Sequence, residues 1–229
     1  MNRRNFLTSL SLSPLFIGCA TAVNYDASKH GRLTRVGIIE YPHGLGAAVS
    51  RSANMYAAAG EDEAIRERLG LKLGNRCDGF GKAVRDAIAA TLSAHGVQSR
   101  TTRHIDTGGV LNPIYRAPKF ADIGEPVYLE SQPTIMLVWS EGQILPGASS
   151  FNRLVAQRGD ILWNRSVAVG SAIHPHLLTL PLATARYQDI GAAFSQPAEE
   201  LAADLMRLAA PLGNTIASQL LGASGTSRT

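Results

Sequence analysis

The clearest structural signal in the chain is the segment Phe80-Gly81-Lys82-Ala83-Val84-Arg85-Asp86-Ala87-Ile88-Ala89-Ala90-Thr91-Leu92. Large apolar residues recur in it at every fourth position: Phe80, Val84, Ile88 and Leu92. This spacing predicts a helix over residues 79–95 that buries one face. Gly96 follows, and glycine is the residue that most easily takes the left-handed conformation that ends a helix.

Apolar runs on either side of this helix predict strands. Residues 35–41 and 134–139 are rich in β-branched and apolar side chains, which is typical of central strands. Residues 97–105 predict another strand, whose polar sequence places it at the edge of a sheet. Residues 150–157 and 160–170 flank the turn residues Arg158-Gly159, so they predict a hairpin.

The chain ends in a helical pattern that follows Ser195 and Pro197. Its apolar positions are Leu201, Leu205, Leu208, Leu212, Ile216 and Leu220. Pro211 lies inside this pattern, and proline removes a backbone donor and clashes with the preceding turn. We therefore expect the C-terminal helix to be kinked or divided in two.

The order of these elements predicts an α+β fold, with a single mixed β-sheet and helices packed mainly on one face. The predicted domain covers residues 34–221, with an insertion near residues 43–78 and a proline-rich, mostly looped stretch at residues 108–133. Residues 19–33 are polar and predict a flexible tether. Residues 222–229 predict a flexible tail.

Composition excludes several classes of protein. The chain has 229 residues, of which 45% are hydrophobic and 17% charged, as in an ordinary globular domain. The formal net charge is +4, but no basic cluster is interleaved with aromatic residues, so we expect no nucleic-acid partner. The two cysteines, Cys19 and Cys77, are too few for a disulfide framework, and Cys77 is expected to be a small buried group.

The N-terminal residues have the pattern of an export signal. Arg3 and Arg4 precede an apolar-leaning run at residues 6–17, which is too short to span a bilayer as a helix. The sequence Leu15-Phe16-Ile17-Gly18-Cys19 resembles a bacterial lipobox. The resemblance implies a signal peptide at residues 1–18 and a mature chain whose Cys19 carries a diacylglyceryl group and fatty acyl chains such as palmitate. Ala20 implies sorting to the periplasmic face of the outer membrane.

The same segment is similar to the twin-arginine export motif. Asn2-Arg3-Arg4-Asn5-Phe6-Leu7-Thr8 carries Arg3, Arg4, Phe6 and Leu7 at the motif's positions. Asn2 and Thr8 depart from the usual pattern, so an ordinary Sec signal is the alternative.

The domain weakly resembles periplasmic lipoproteins of the curli-secretion, TolB N-terminal and penicillin-binding-protein-activator type. The likeness covers most of residues 35–221 and is carried by an opening apolar strand, the helix at residues 79–95, the strand Asp160-Ile161-Leu162-Trp163 and a long final helix. The insertion and the proline-rich stretch depart from this pattern. The resemblance implies a lipid-anchored protein of the cell envelope.

Side chains suited to catalysis or metal binding are sparse. His174-Pro175-His176 could place His174 and His176 on one side of an extended segment as two metal ligands, but no third ligand is evident. Glu40, Glu141 and Asp160 lie at predicted strand ends. No catalytic residue and no cofactor are predicted.

We expect a non-enzymatic envelope protein that binds another envelope protein through residues 97–105 and 108–133. The alternative is a periplasmic hydrolase or small-ligand-binding protein that uses these carboxylates and histidines.

Overall fold

In the part of the chain that the structure describes, seven strands form one mixed sheet with the order β3-β1-β4-β5-β6-β7, and β2 also pairs with β4. The structure is a computed structural model, and it describes residues 22–40, 46–51, 59–103, 124–140, 142–170, 178–180 and 185–224. The strands are β1 (Arg35–Glu40), β2 (Gly46–Arg51), β3 (Gln98–Arg103), β4 (Val127–Ser140), β5 (Gln143–Ala156), β6 (Ile161–Val169) and β7 (Leu178–Leu180). The helices are α1 (Ala27–His30), α2 (Ala59–Leu73), α3 (Phe80–Ala94), α4 (Ile190–Ser195), α5 (Ala198–Met206) and α6 (Ala209–Ala223).

The pairing directions confirm the predicted mixed sheet. β1 runs parallel to both β3 and β4, β2 runs parallel to β4, and β7 runs parallel to β6. β4, β5 and β6 form antiparallel pairs, and the predicted hairpin between β5 and β6 is present. Gly159 in its turn has φ +95°, a conformation that favours glycine. β5 begins earlier than predicted, so β4 and β5 form a second hairpin that the sequence did not reveal.

Helices cover one face of the sheet, as predicted. α3 is the predicted amphipathic helix, and its four large apolar side chains are fully buried. They join side chains of β1, β4, β5 and β6 and of α5 and α6 in one core that includes Val36, Leu129, Leu154 and Trp163. The other face holds two smaller buried clusters, made of Ile39, Tyr128 and Val155 and of Met136, Val138 and Ala168.

The C-terminal helical region is divided, as Pro211 predicted. α5 ends at Met206 and α6 begins at Ala209, so Pro211 lies in the first turn of α6. The first four N–H groups of a helix have no partner within it, so a missing donor at this position costs nothing. α6 extends to Ala223, and Ser224 is buried, which shortens the predicted flexible tail.

The structure corrects the prediction for residues 108–133. β4 begins at Val127 and runs through Pro133, so the end of the proposed loop belongs to a strand of 14 residues. On one side β4 pairs with β1 only up to Leu129 and with β2 only from Thr134. Pro133 lies between these two contacts, so its missing backbone donor removes no hydrogen bond between β4 and either of these described strands.

Residues 43–78 are not a peripheral insertion where the structure describes them. They supply β2, which pairs with β4, and α2, a helix of 15 residues. Leu69, Leu73 and Cys77 are buried in the main core. The polar sequence of α2 conceals this role because only one side of the helix packs inward.

The predicted tether is also corrected in part. Residues 22–33 pack on the domain, and Tyr25 and Leu33 are buried in its main core. Asp26 caps α1 by accepting hydrogen bonds from the N–H groups of Ser28 and Lys29. The few apolar residues of this segment are enough to fix it because each meets an existing apolar surface.

Candidate functional site

Most residues of the predicted functional set lie outside the residues that the structure describes. They are Arg3, Arg4, Phe6, Leu7, Cys19, Glu141, His174 and His176. The lipidation, export and metal predictions that rest on them therefore stay predictions.

The two described carboxylates of the predicted set do not meet. Glu40 ends β1 and forms an ion pair with Arg85 of α3. Asp160 is exposed in the turn before β6. Glu40 lies at the C-terminal end of β1 and Asp160 precedes the N-terminal end of β6, and β4 and β5 lie between these two strands. This part of the carboxylate group proposed for a hydrolase is not assembled.

Several of the described acidic side chains form ion pairs. Glu130 and Arg153 form a buried ion pair across β4 and β5, on the sheet face opposite the helices. The other pairs are Arg35–Glu125, Arg66–Glu63, Arg76–Glu199, Lys82–Asp86 and Arg207–Asp204. Within the described ranges, no three histidine, cysteine or carboxylate side chains are grouped as metal ligands would be.

Cys77 is buried, as its sequence context predicted. Burial raises the pKa of the Cys77 thiol, and the neighbouring Asp78 carboxylate raises it further. A raised pKa leaves little thiolate at neutral pH, and the thiolate is the reactive form. The environment of Cys77 is therefore that of a structural side chain.

The N-terminal end of the described chain is fastened to β6. The Val23 N–H donates to Asn164 Oδ1 at 2.7 Å, and the Asn164 N–H donates to the Val23 carbonyl at 3.2 Å. Arg165 donates to the same carbonyl at 3.2 Å and to the side chain of Asn24. We call this set of contacts the Val23 junction. Sequence reasoning missed it, although Arg165 was visible as a charged residue interrupting the apolar face of β6.

The two ends of the sheet order are covered unequally. At the β6 end, β7 pairs with Val167–Val169 and the Val23 junction occupies the stretch around Asn164. At the other end β3 is the terminal strand, as predicted, and among the described strands only β1 pairs with it. Within the described sheet, the outer row of backbone donors and acceptors of this six-residue strand is therefore not paired with another strand.

The orientation of β3 shows which residues carry that row. The Gln98 N–H donates to the Thr34 carbonyl at 2.9 Å, on the β1 side. Backbone groups alternate between the two sides of a strand, so Ser99, Thr101 and Arg103 direct theirs away from β1. Thr101 and Arg100 are exposed. The edge can accept an added strand, and its charged side chains are basic.

No family model matches this chain, and no curated protein matches it. The chain is similar in structure to a PelC variant from Paraburkholderia phytofirmans, solved as a dodecamer, with 10% identity, a TM-score of 0.32 and coverage of 84% of this chain and 90% of that chain. It is also similar to the lipoprotein GNA1162 from Neisseria meningitidis, with 15% identity, a TM-score of 0.33 and coverage of 60% and 84%. At these values the similarity carries no conclusion about function.

Among the helices in the described ranges, none combines the length and the apolar character that a membrane span requires.

Proposed function

We propose that this chain is a lipid-anchored protein of the bacterial cell envelope that binds another envelope protein along β3. Acyl chains on Cys19 would hold it at the periplasmic face of the outer membrane, after export directed by Arg3, Arg4, Phe6 and Leu7. The lipobox-like sequence supports the anchor, since several buried acyl chains make attachment durable. The ion pairs of Glu40, Glu125 and Glu130 support a binding role over an enzymatic one, because each of these carboxylates is already engaged by an arginine.

One observation carries the binding proposal: among the described strands β3 is a terminal strand that pairs only with β1. Proteins commonly blunt or cover sheet edges because an open edge pairs with other chains. The terminal strand on the other side, β7, has three residues, whereas β3 has six and so offers the longer edge. Strand addition is a recurring mode of recognition in which main-chain hydrogen bonds supply the affinity.

The partner segment that this edge favours is extended and acidic. Arg100 is exposed on β3, and Arg35, on the neighbouring strand, is 52% exposed in its side chain while it contacts Glu125. Opposite charge across an interface speeds association and suppresses wrong partners. An acidic strand therefore fits this edge better than a basic one.

The edge is tested by a backbone change at an outward position. Thr101→Pro removes one outward N–H donor and leaves the pairing with β1 intact, whereas Thr101→Val keeps the donor. Chemical crosslinking in intact cells, followed by purification of the chain, should capture an envelope protein with the original sequence and with Thr101→Val, but not with Thr101→Pro. Equal capture by all three, with unchanged thermal unfolding, would show that β3 is not the docking edge.

The anchor is tested separately. The chain with Cys19 should enter the detergent phase and carry the added mass of a diacylglyceryl group and fatty acids, whereas Cys19→Ser should remain in the aqueous phase with its signal attached. Identical behaviour of the two proteins would contradict lipidation.

A further inference from the structure

The Val23 junction leaves very little chain between the proposed lipid and the folded domain. Only four residue steps separate Cys19 from Val23, and a fully extended chain spans at most about 3.6 Å per residue, so the reach is at most about 14 Å. Val23 itself is held on β6 because its N–H donates to the Asn164 side chain and its carbonyl accepts from the Asn164 N–H. If Cys19 is acylated, as the proposed function states, the domain cannot hang freely from its anchor.

The short reach determines which part of the domain is near the bilayer. β6 begins at the end of the sheet where β1 and β3 also begin and where β5 ends, as the registers of neighbouring strands show. We call this the anchor-proximal end. Ile161 is the first residue of β6 and lies three residues from Asn164, which is about 10 Å along a strand.

The exposed side chains at the anchor-proximal end suit a lipid surface. Ile161 is 42% exposed, and within the described chain only Leu71 is a more exposed large hydrophobic residue. It is turned outward because a β-bulge shifts the register between Leu154 and Val155. Lys29, Arg32 and Arg158 lie exposed at the same end, and Arg35, which is also exposed there, pairs with Glu125.

Two exposed carboxylates lie among these cations. The Asp26 carboxylate is engaged at the start of α1, where it accepts hydrogen bonds from the Ser28 hydroxyl at 2.6 Å and the Ser28 N–H at 3.0 Å. Asp160 precedes Ile161 in the β5–β6 turn. The free positive charges outnumber the negative ones, so the end is complementary to anionic headgroups.

We propose that the anchor-proximal end lies directly against the membrane, with Ile161 among the lipid headgroups and with Lys29, Arg32 and Arg158 on anionic phospholipids. The proposal rests on the proposed acylation of Cys19, and it adds a defined orientation. Long cationic side chains and an aliphatic residue at one surface are the usual components of interfacial membrane contact. The sheet then rises from the bilayer, with the β4–β5 hairpin at its far end.

Fluorescence quenching by brominated lipid measures this orientation. Ile161→Trp and Leu71→Trp each add one indole at an exposed apolar position, and both keep Trp139 and Trp163 as a common background. Leu71 lies near the C-terminal end of α2, and the N-terminal end of α3, which follows in the chain, lies beside Pro133 midway along β4. The matched pair therefore compares the anchor-proximal end with a position farther from it on the same molecule.

The acylated full chain is reconstituted in vesicles of phosphatidylethanolamine and phosphatidylglycerol with brominated acyl chains. We expect the Ile161→Trp protein to lose emission and to shift it to the blue, while the Leu71→Trp protein emits as it does in vesicles without bromine. Charge reversal at Lys29, Arg32 and Arg158 should reduce the quenching at position 161. Equal quenching at both positions, or stronger quenching at position 71, would overturn the proposed orientation, and quenching unaffected by charge reversal would overturn the headgroup contacts.

Failure of the anchor is distinguished from failure of the orientation by intact mass. If the purified chain carries no acyl group, the proposed function fails. A maleimide lipid can then be attached to Cys19, because the buried Cys77 thiol does not compete for it. The same comparison of positions 161 and 71 on this lipid-linked chain decides the orientation independently of the natural modification.

Discussion

Replacing Gly213 by alanine should weaken the contact between α6 and α3, although alanine favours a helix over glycine. A Cβ atom at Gly213 would lie 2.5 Å from the Val84 carbonyl oxygen and 2.7 Å from the Ala87 Cβ atom. Ordinary contact begins at 3.4 Å, so the helices would have to separate by about 0.9 Å at this point. Overpacking a core costs about 1–3 kcal/mol, and the helix propensity of alanine returns at most about 1 kcal/mol. With the full offset, we expect a net loss of up to about 2 kcal/mol.

The same substitution elsewhere in α6 should have the opposite sign. A Cβ atom at Gly222 meets nothing within 4 Å, so Gly222→Ala should raise the free energy of unfolding by up to about 1 kcal/mol. Urea unfolding of the chain from residue 20 measures both, and at this size 1 kcal/mol corresponds to about 2–4 °C in Tm. A Gly213→Ala protein as stable as the Gly222→Ala protein would show that the two helices do not approach this closely.

Three further changes test the interior. Glu130→Leu should lower the free energy of unfolding by about 3–5 kcal/mol because it removes the carboxylate that pairs with the buried Arg153 guanidinium, and adding Arg153→Met should restore much of the loss in thermal unfolding. Cys77 should resist thiol reagents at pH 8 in the native protein and react at once in urea, since burial raises its pKa. Burial raises the pKa of Tyr187 above its usual 10.0, and the hydrogen bond with Asp204 raises it further. The stability that the protonated Tyr187 contributes to the fold is therefore complete below pH 10 and is lost as the pH rises above 10. Tyr187→Phe should therefore reduce the loss of stability between pH 10 and pH 12, and an unchanged alkaline profile would refute this.

The parts of the fold that the sequence predicted are those with local signals. The spacing of Phe80, Val84, Ile88 and Leu92 identifies α3 because a helix repeats its buried face within its own length. The β5–β6 turn is equally local, since Gly159 alone supplies the conformation that it needs. Pro211 divides the C-terminal helices through steric effects confined to one turn.

The parts that the sequence concealed depend on distant residues. Pro133 favoured the prediction of a loop. A proline is acceptable in β4 at this position only because it lies between the residues that pair with β1 and those that pair with β2. Val23 and Asn164 are 141 positions apart, so the sequence around Val23 does not predict their hydrogen bonds. The export and lipidation predictions rest on short linear motifs and stay predictions, whereas the position of β3 at the edge of the sheet depends on the order of all the strands.

The covered and open edges of the sheet also constrain where a partner can approach. From β6 to β3 the order passes through β5, β4 and β1, which is four inter-strand spacings or about 19 Å at about 4.8 Å each. Gln98, the first residue of β3, pairs with Arg35 at the anchor-proximal end. In the proposed orientation, a strand added to β3 would have one end at the membrane surface, beside the anchor and not above it. A partner with its binding segment close to its own membrane attachment satisfies this geometry, and one that presents the segment only deep in the periplasm does not.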